Sequence, residues 1–256
     1  MNLRSRFENF FDGGMIQSTL SNLSYAAAIE HLGQLLIKRV VWRSHTGEKK
    51  IALTFDDGPH PVYTPQILEV LKNYDVPATF FIIGKHLSNH QDIGRRITES
   101  NHEIANHTYS HRLLLKLSNE EISEEIQRTH ELLSRLNGQK PKFLRPPMGL
   151  FSKRVLNVID NAGYRTVVGD VYPRDPHRPG TKKLVKRILE RTHAGSIIIL
   201  HDGGNTEVVD RGQTVQALDE VIPLLKQIGY QFVTLSEMFH LSDNSHVPIK
   251  ESINPS

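Results

Sequence analysis

The chain predicts an α/β fold, a distorted (β/α)7–8 TIM-like barrel forming one domain. Three observations carry that expectation. Short β-rich runs alternate with amphipathic helical patterns along most of the sequence. The length, 256 residues, suits one barrel and leaves little for a second domain. Residues able to ligate metals or move protons stand directly after several of the β-rich runs, which in a parallel barrel is the C-terminal rim.

The β-rich runs are 51–55, 78–83, 103–105, 142–144, 165–168, 196–200 and 231–235. Between the first two, Thr64-Pro65 reads as an N-cap and first-turn proline for a helix over 66–74. Ser118 with Glu121 is a capping box. It opens a long helix whose apolar face is Ile122, Ile126, Thr129, Leu133 and Leu136, stopped by Gly138. A helix over 152–162 ends at Gly163 in the same way, and 182–192 and 215–228 complete the set. Phe80 and Phe81 read as core, while Glu120-Glu121, Glu124-Glu125 and Lys182-Lys183 read as solvated helix faces.

Residues 1–49 are expected to form an N-terminal helical extension, with one amphipathic helix near 24–42. The barrel domain spans 50–240, and the polar stretch 241–256 is expected to be a disordered tail. Arg4 and Arg6 are followed by no continuous apolar stretch, so no secretory signal is read. Nothing approaches the ~20 apolar residues of a membrane span. The expected location is therefore cytoplasmic. The absence of Cys removes any disulfide framework, and a net charge of +3 is too small to argue for a nucleic-acid partner.

The chemistry concentrates first in Thr54-Phe55-Asp56-Asp57-Gly58-Pro59. Adjacent carboxylates at the end of a buried strand are costly unless something neutralises one of them, and a metal ion would do so. Taken alone, the run reads equally as an Asp-Asp-Gly-Pro turn. His107-Thr108-Tyr109-Ser110-His111 follows. Imidazoles at i and i+4 on one helical turn face the same way and can close on one ion with Asp57, leaving open positions for catalysis. In a chain with 14 His, an arbitrary His-x-x-x-His would be incidental. A metalloprotease is not indicated, since Thr108 occupies the place of the required Glu.

Three further blocks stand in order: Arg145-Pro146-Pro147-Met148-Gly149, Asp175-Pro176 and Ile199-Leu200-His201. With the two runs above, they make the chain resemble the polysaccharide deacetylase family over about residues 50–239. This is the NodB-homology domain of carbohydrate esterase family four, which includes chitin, chitooligosaccharide and peptidoglycan deacetylases. The resemblance implies the same barrel and a metal-dependent hydrolase removing N-acetyl groups from N-acetylglucosamine-type units of a glycan. It implies a divalent ion, zinc first with cobalt or another divalent ion as alternatives, held by Asp57, His107 and His111. Asp56 would take a proton from the attacking water, and Arg145 would pair with Asp56 and orient it. His201, hydrogen-bonded by Asp175, would protonate the leaving amine, and the Met148 N–H would stabilise the oxyanion.

One departure concerns the sugar pocket. Relatives commonly carry Trp after the fourth-motif Asp; here Pro176 follows Asp175, and the single Trp is Trp42. Tyr172 or Pro176 would form the wall instead. The expected partner is an acetylated glycan, and the small positive charge mildly favours an anionic one such as peptidoglycan. The same machinery would serve an O-deacetylase of acetylated xylan or a deformylase. A non-catalytic carbohydrate-binding relative is the alternative of a different class.

Overall fold

The computed structural model of the chain describes residues 39–241 other than 46, 138, 139 and 207. The helix expected over 24–42 falls almost entirely outside those residues, as do the Gly138 stop and the tail from 242 onward. Strands stand at every expected position: β1 (Lys50–Gly58), β2 (Thr79–Ile82), β3 (Glu103–Asn106), β4 (Phe143–Leu144), β5 (Arg165–Thr166), β6 (Ile197–His201) and β7 (Gln231–Phe232). They form a 7-stranded sheet of order β5-β4-β3-β2-β1-β6, with β7 paired to the start of β1. Every strand pair is parallel.

Among the described residues no ladder joins β5 to β6. Single bridges span that seam instead: Val41 with Val167, Arg43 with Ser196, and Val171 with Ile198. This makes the barrel distorted, and the segment just before β1 helps to fill the gap.

The helices are α1 (Tyr63–Asn73), α2 (Gly84–Asn89), α3 (Gln91–Glu99), α4 (Asn119–Asn137), α5 (Lys153–Asn161), α6 (Thr181–Arg191), α7 (Gly212–Gln227) and α8 (Leu235–Met238). Helix α4 begins at the expected capping box: Ser118 N–H donates to Glu121 Oε2 at 2.8 Å, and Glu121 N–H to Ser118 Oγ at 3.2 Å. Ser152 Oγ caps α5 by accepting from Val155 N–H at 3.3 Å. Thr64 is not the cap of α1, which starts one residue earlier without a side-chain cap. Its hydroxyl instead accepts from His60 N–H and donates to Asp202, so a buried partner outcompetes the helix end. Helices α2 and α3 carry no side-chain cap, and no start signal marked them in the sequence.

The sheet is buried on both faces, and period-2 alternation sorts its residues. Ile51, Leu53 and Phe55 of β1 face outward against α1 and α7, joining Ile67, Leu71, Leu218 and Val221. Ala52 faces the barrel interior with Phe81, Ala105, Phe143, Val167 and Ile197. Beneath the interior, α8 closes the N-terminal end: Leu235 N–H donates to Thr79 Oγ1 and Ser236 N–H to Glu103 Oε2. The chain therefore leaves β7 after two residues rather than extending it to 235. Burying an Ile, Leu or Phe contributes roughly 1.5–3 kcal/mol. A one-residue slip of β1 would expose that whole set and turn its interior column outward, so the register is strongly held.

Candidate active site at the C-terminal rim

The interior alternation continues upward into polar residues. Ala52 is followed on the same face by Thr54 and Asp56, Ala105 by His107, Phe143 by Arg145, and Ile197 by Ile199 and His201. The top layer of the barrel interior is thus built from charged and imidazole side chains on β1 and β6 and directly after β3 and β4, where a barrel places its chemistry. Asp56 and His201 are direct register partners on β1 and β6.

Asp57 has the opposite parity and in a regular strand would point away. The pairing of β1 with β2 shifts register between Asp56 and Gly58, and Asp57 adopts φ 73°. That irregularity re-aims its carboxylate to the same side as Asp56. Both aspartates lie within β1, just before its C-terminal residue, not beyond it. Gly58 is required by close approach: a Cβ there would stand 2.1 Å from Asp202 Oδ2. The Asp202 carboxyl, whose acidity burial weakens to about 7, packs directly under the strand end.

His107 and His111 do not share a helical turn. They lie on a loop after β3 with left-handed backbone at Thr108 (φ 65°) and His111 (φ 56°). The loop doubles back, bringing the two rings to 4.9 Å between centroids. Asp57 Oδ1 stands 3.4 Å from His107 Nε2 and 3.3 Å from His111 Nε2. Atoms each ~2.0–2.1 Å from one ion at a tetrahedral angle have about this separation.

The protonation pattern supports the same fit. His107 Nδ1 lies 2.7 Å from Arg145 O, an acceptor only, so Nδ1 carries the proton and Nε2 presents a lone pair. A lone pair facing a buried carboxylate oxygen without a donor of its own repels unless a cation lies between. Burial opposes ionisation of Asp57, but positive charge at the positions of His107, His201 and His111 outweighs it and holds the carboxyl well below the usual carboxylate range, the same pull that a cation among these donors exerts. Burial, with His107 beside it, lowers His111 to about 4 against the pull of Asp57, Asp56 and Asn205. A neutral imidazole is the form a metal needs.

On one side of this cluster lies Asp56, 4% exposed. Arg145 Nη1 donates to Asp56 Oδ1 at 2.5 Å and to Thr54 Oγ1 at 2.9 Å, and Nε donates to Val167 O at 3.3 Å. The guanidinium lies 4.0 Å over the Phe81 ring. On the other side, Asp175 Oδ1 accepts from His201 Nδ1 at 3.0 Å, and its Oδ2 accepts from His201 N–H and the Thr214 hydroxyl. Burial works against the His201 cation, yet Asp175, backed by Asp57 and Asp56, raises its pKa to about 9.

Asp170 does not share the rim. Its carboxylate accepts from Ile197 N–H at the start of β6 and pairs with His193. The chain then climbs alongside β6 through the Val171–Ile198 bridge and delivers Asp175 to His201. Arg191 and Arg187 pin this stretch through Tyr172 O and Pro173 O. The Tyr172 ring lies 6.1 Å from His201, and Pro176 is half-buried beside Asp175. Met148 has φ 61° and is 56% exposed, and its N–H has no acceptor among the described residues. His60 is structural: its Nδ1 accepts from Val62 and Tyr63 N–H inside the turn.

Sequence reasoning missed three supports of the site. Asn106 Oδ1 accepts from Thr108 N–H at 2.8 Å while its amide donates to Ile126 O and Tyr164. Asp202 is the second. Glu125 is the third, buried against the His107–His111 loop rather than solvated. One signal was available for Glu125, since it lies three residues after Ile122 and one before Ile126, at the margin of the apolar face.

Fold and site together define a parallel α/β barrel protein with a candidate metal centre flanked by a carboxylate and an imidazole. The family model for polysaccharide deacetylase matches residues 43–167. A peptidoglycan-N-acetylglucosamine deacetylase of Bacillus cereus is 39% identical over 201 residues, covering 78% of this chain and 92% of its own. A chitooligosaccharide deacetylase of Sinorhizobium fredii is 39% identical over 204 residues, 77% of this chain and 95% of its own. Among solved structures, the Bc1960 peptidoglycan N-acetylglucosamine deacetylase superposes with TM-score 0.77 at 34% identity, covering 82% of this chain and 97% of that one. The chain belongs to the polysaccharide deacetylase family. No helix among the described residues is long and apolar enough to cross a membrane.

Proposed function

We propose that this protein is a metal-dependent hydrolase that removes N-acetyl groups from N-acetylglucosamine-type units of a glycan, a chitooligosaccharide or peptidoglycan. The observation carrying this reading is the register pairing of Asp56 with His201 beside the convergent Asp57, His107 and His111 donors. A base and an acid on facing positions next to a three-donor cluster suit hydrolysis of an unactivated amide. The named relatives, deacetylases of peptidoglycan and of chitooligosaccharides, support the substrate class.

Asp57, His107 and His111 would hold a divalent ion; two imidazoles and one carboxylate favour zinc and also accept cobalt. When bound, such an ion polarises an acetyl carbonyl and acidifies water from ~15.7 toward ~7. Asp56, kept in place by Arg145, takes the proton of the attacking water. The Met148 N–H, left without an internal acceptor, donates to the oxygen that gains charge. His201 then gives its proton to the nitrogen as the carbon–nitrogen bond breaks, releasing acetate and the free amine. Tyr172 and Pro176, beside His201 and Asp175, form the wall against which the sugar rests.

The test is acetate release from N-acetylchitooligosaccharides and peptidoglycan, after chelation and after return of zinc or cobalt. Activity should vanish with chelator and return with either ion. Turnover of acetylated xylan alone would overturn the amide reading.

A pH prediction follows from the His201–Asp175 pair. His201 ionises at about 9 instead of 6.5, so its acid form persists through neutral pH. Asp175→Asn removes the largest cause of that rise and leaves burial, which acts oppositely. The alkaline limb of the kcat profile should move acidward by at least about one unit. A cation in the cluster lowers His201 in both proteins and does not change the sign. The linked stability follows the same order: it is full below 6.5 and is lost as pH rises through about 9.

A further inference from the structure

Glu125 sits on α4, 7% exposed, with its carboxylate turned toward the loop that joins His107 to His111. Oε2 accepts from Tyr109 N–H at 3.0 Å and from Ser110 N–H at 2.7 Å, and Oε1 accepts from the Ser110 hydroxyl at 2.5 Å. These are the residues directly before His111. A buried carboxylate with this many donors, and with no basic side chain in ion-pair contact among the described residues, is held by the loop, and the loop by it.

The loop needs such a holder. Thr108 and His111 both occupy the left-handed region, which side-chain-bearing residues adopt only when the surroundings impose it. His107 is oriented by its own ring, through Nδ1–H to Arg145 O. His111 lacks that device, because its Nδ1 is buried without a hydrogen-bond partner of good geometry. With only Asn205 beside the ring as a hydrogen-bond partner, its Nε2 is placed chiefly by the backbone of residues 109–111. One turn further along α4, Arg128 lies 3.6 Å over the Tyr109 ring and clamps the same segment. From the opposite side, Gly84 and Lys85 N–H reach Thr108 O and Tyr109 O.

We infer that Glu125 is a positioning residue of the metal centre: it sets the backbone that presents His111 Nε2 to the point shared by Asp57 and His107. The inference rests on the metal reading proposed above and extends it to a helix that supplies no ligand.

The experiment compares wild type, Glu125→Gln, Glu125→Ala and Leu133→Ala as apo proteins titrated with zinc against a chromophoric chelator. Cobalt absorption then reports the geometry of the centre. Leu133 is buried on the same helix without contact to the loop through any hydrogen bond, so Leu133→Ala reports general destabilisation. Glu125→Ala should bind zinc about 10- to 100-fold more weakly and show an altered cobalt spectrum. Glu125→Gln keeps one carbonyl oxygen for the two amide N–H donors and should lose less. Leu133→Ala should melt earlier yet bind zinc like wild type. The inference is overturned if Glu125→Ala and Glu125→Gln match wild type in affinity, or if Leu133→Ala loses as much as they do. Should wild type bind neither ion, the metal reading itself fails, and this one with it. If Glu125→Ala does not fold, the Gln variant alone decides.

Discussion

Asp56→Asn should lower kcat for deacetylation by about 10²- to 10⁴-fold while leaving zinc affinity within a few-fold of wild type. The side chain keeps its size, and its remaining oxygen can still accept from Arg145 Nη1, which donates to Asp56 Oδ1 at 2.5 Å. What disappears is the capacity to take a proton, since an amide is no base. Metal affinity should hold because the donors are Asp57, His107 and His111, and Asp56 is outside that set. Steady-state acetate release and metal content of the same preparation are the two measurements. A variant retaining even a tenth of wild-type turnover would remove Asp56 from the base role and pass that role to another group. Loss of metal together with activity would show that Asp56 shapes the cluster instead.

The second large effect concerns stability. Arg145 is 2% exposed and fully enclosed, bound to Asp56, Thr54 and Val167 and stacked on Phe81. Arg145→Met preserves much of the volume but strands the Asp56 carboxylate without its counter-charge. Breaking a buried pair from one side costs about 3–5 kcal/mol. Domains of this kind have about 5–15 kcal/mol in total, so the urea midpoint should fall steeply. Adding Asp56→Asn to Arg145→Met removes the stranded charge and should return about 0.5–3 kcal/mol of the loss. A double variant no more stable than Arg145→Met would show that the guanidinium acts through packing on Phe81 and not through charge. Bound cation would narrow the gap by offsetting the charge of Asp56, so the measurement belongs on apo protein.

Much of this architecture is legible in the sequence. The β-rich runs and the helices that begin near Ser118 and Ser152 appear where the capping box and the periodicities place them, because those signals are local in sequence. At Thr64 the signal for a cap and that for a buried polar contact are the same hydroxyl, and Asp202, distant in sequence, decides between them. The spacing of His107 and His111 predicts a helix, because i and i+4 converge there. A loop with two left-handed residues reaches the same convergence, and no residue type in that stretch announces it. Glu124 and Glu125 carry the same local signal of a solvated face, yet Glu124 is exposed and Glu125 is buried against the loop.

Sequence alone determined which chemical groups this protein possesses and that a parallel strand–helix alternation would gather them at one end. Residue type and short-range periodicity are properties of neighbouring positions, so they survive without a fold. Tertiary structure decided which of those groups meet. The kink that turns Asp57 to the side of Asp56, the enclosure of Arg145 and the grip of Glu125 on the histidine loop each depend on partners at least 15 residues away. Their positions follow from strand register and close packing, which no local pattern encodes.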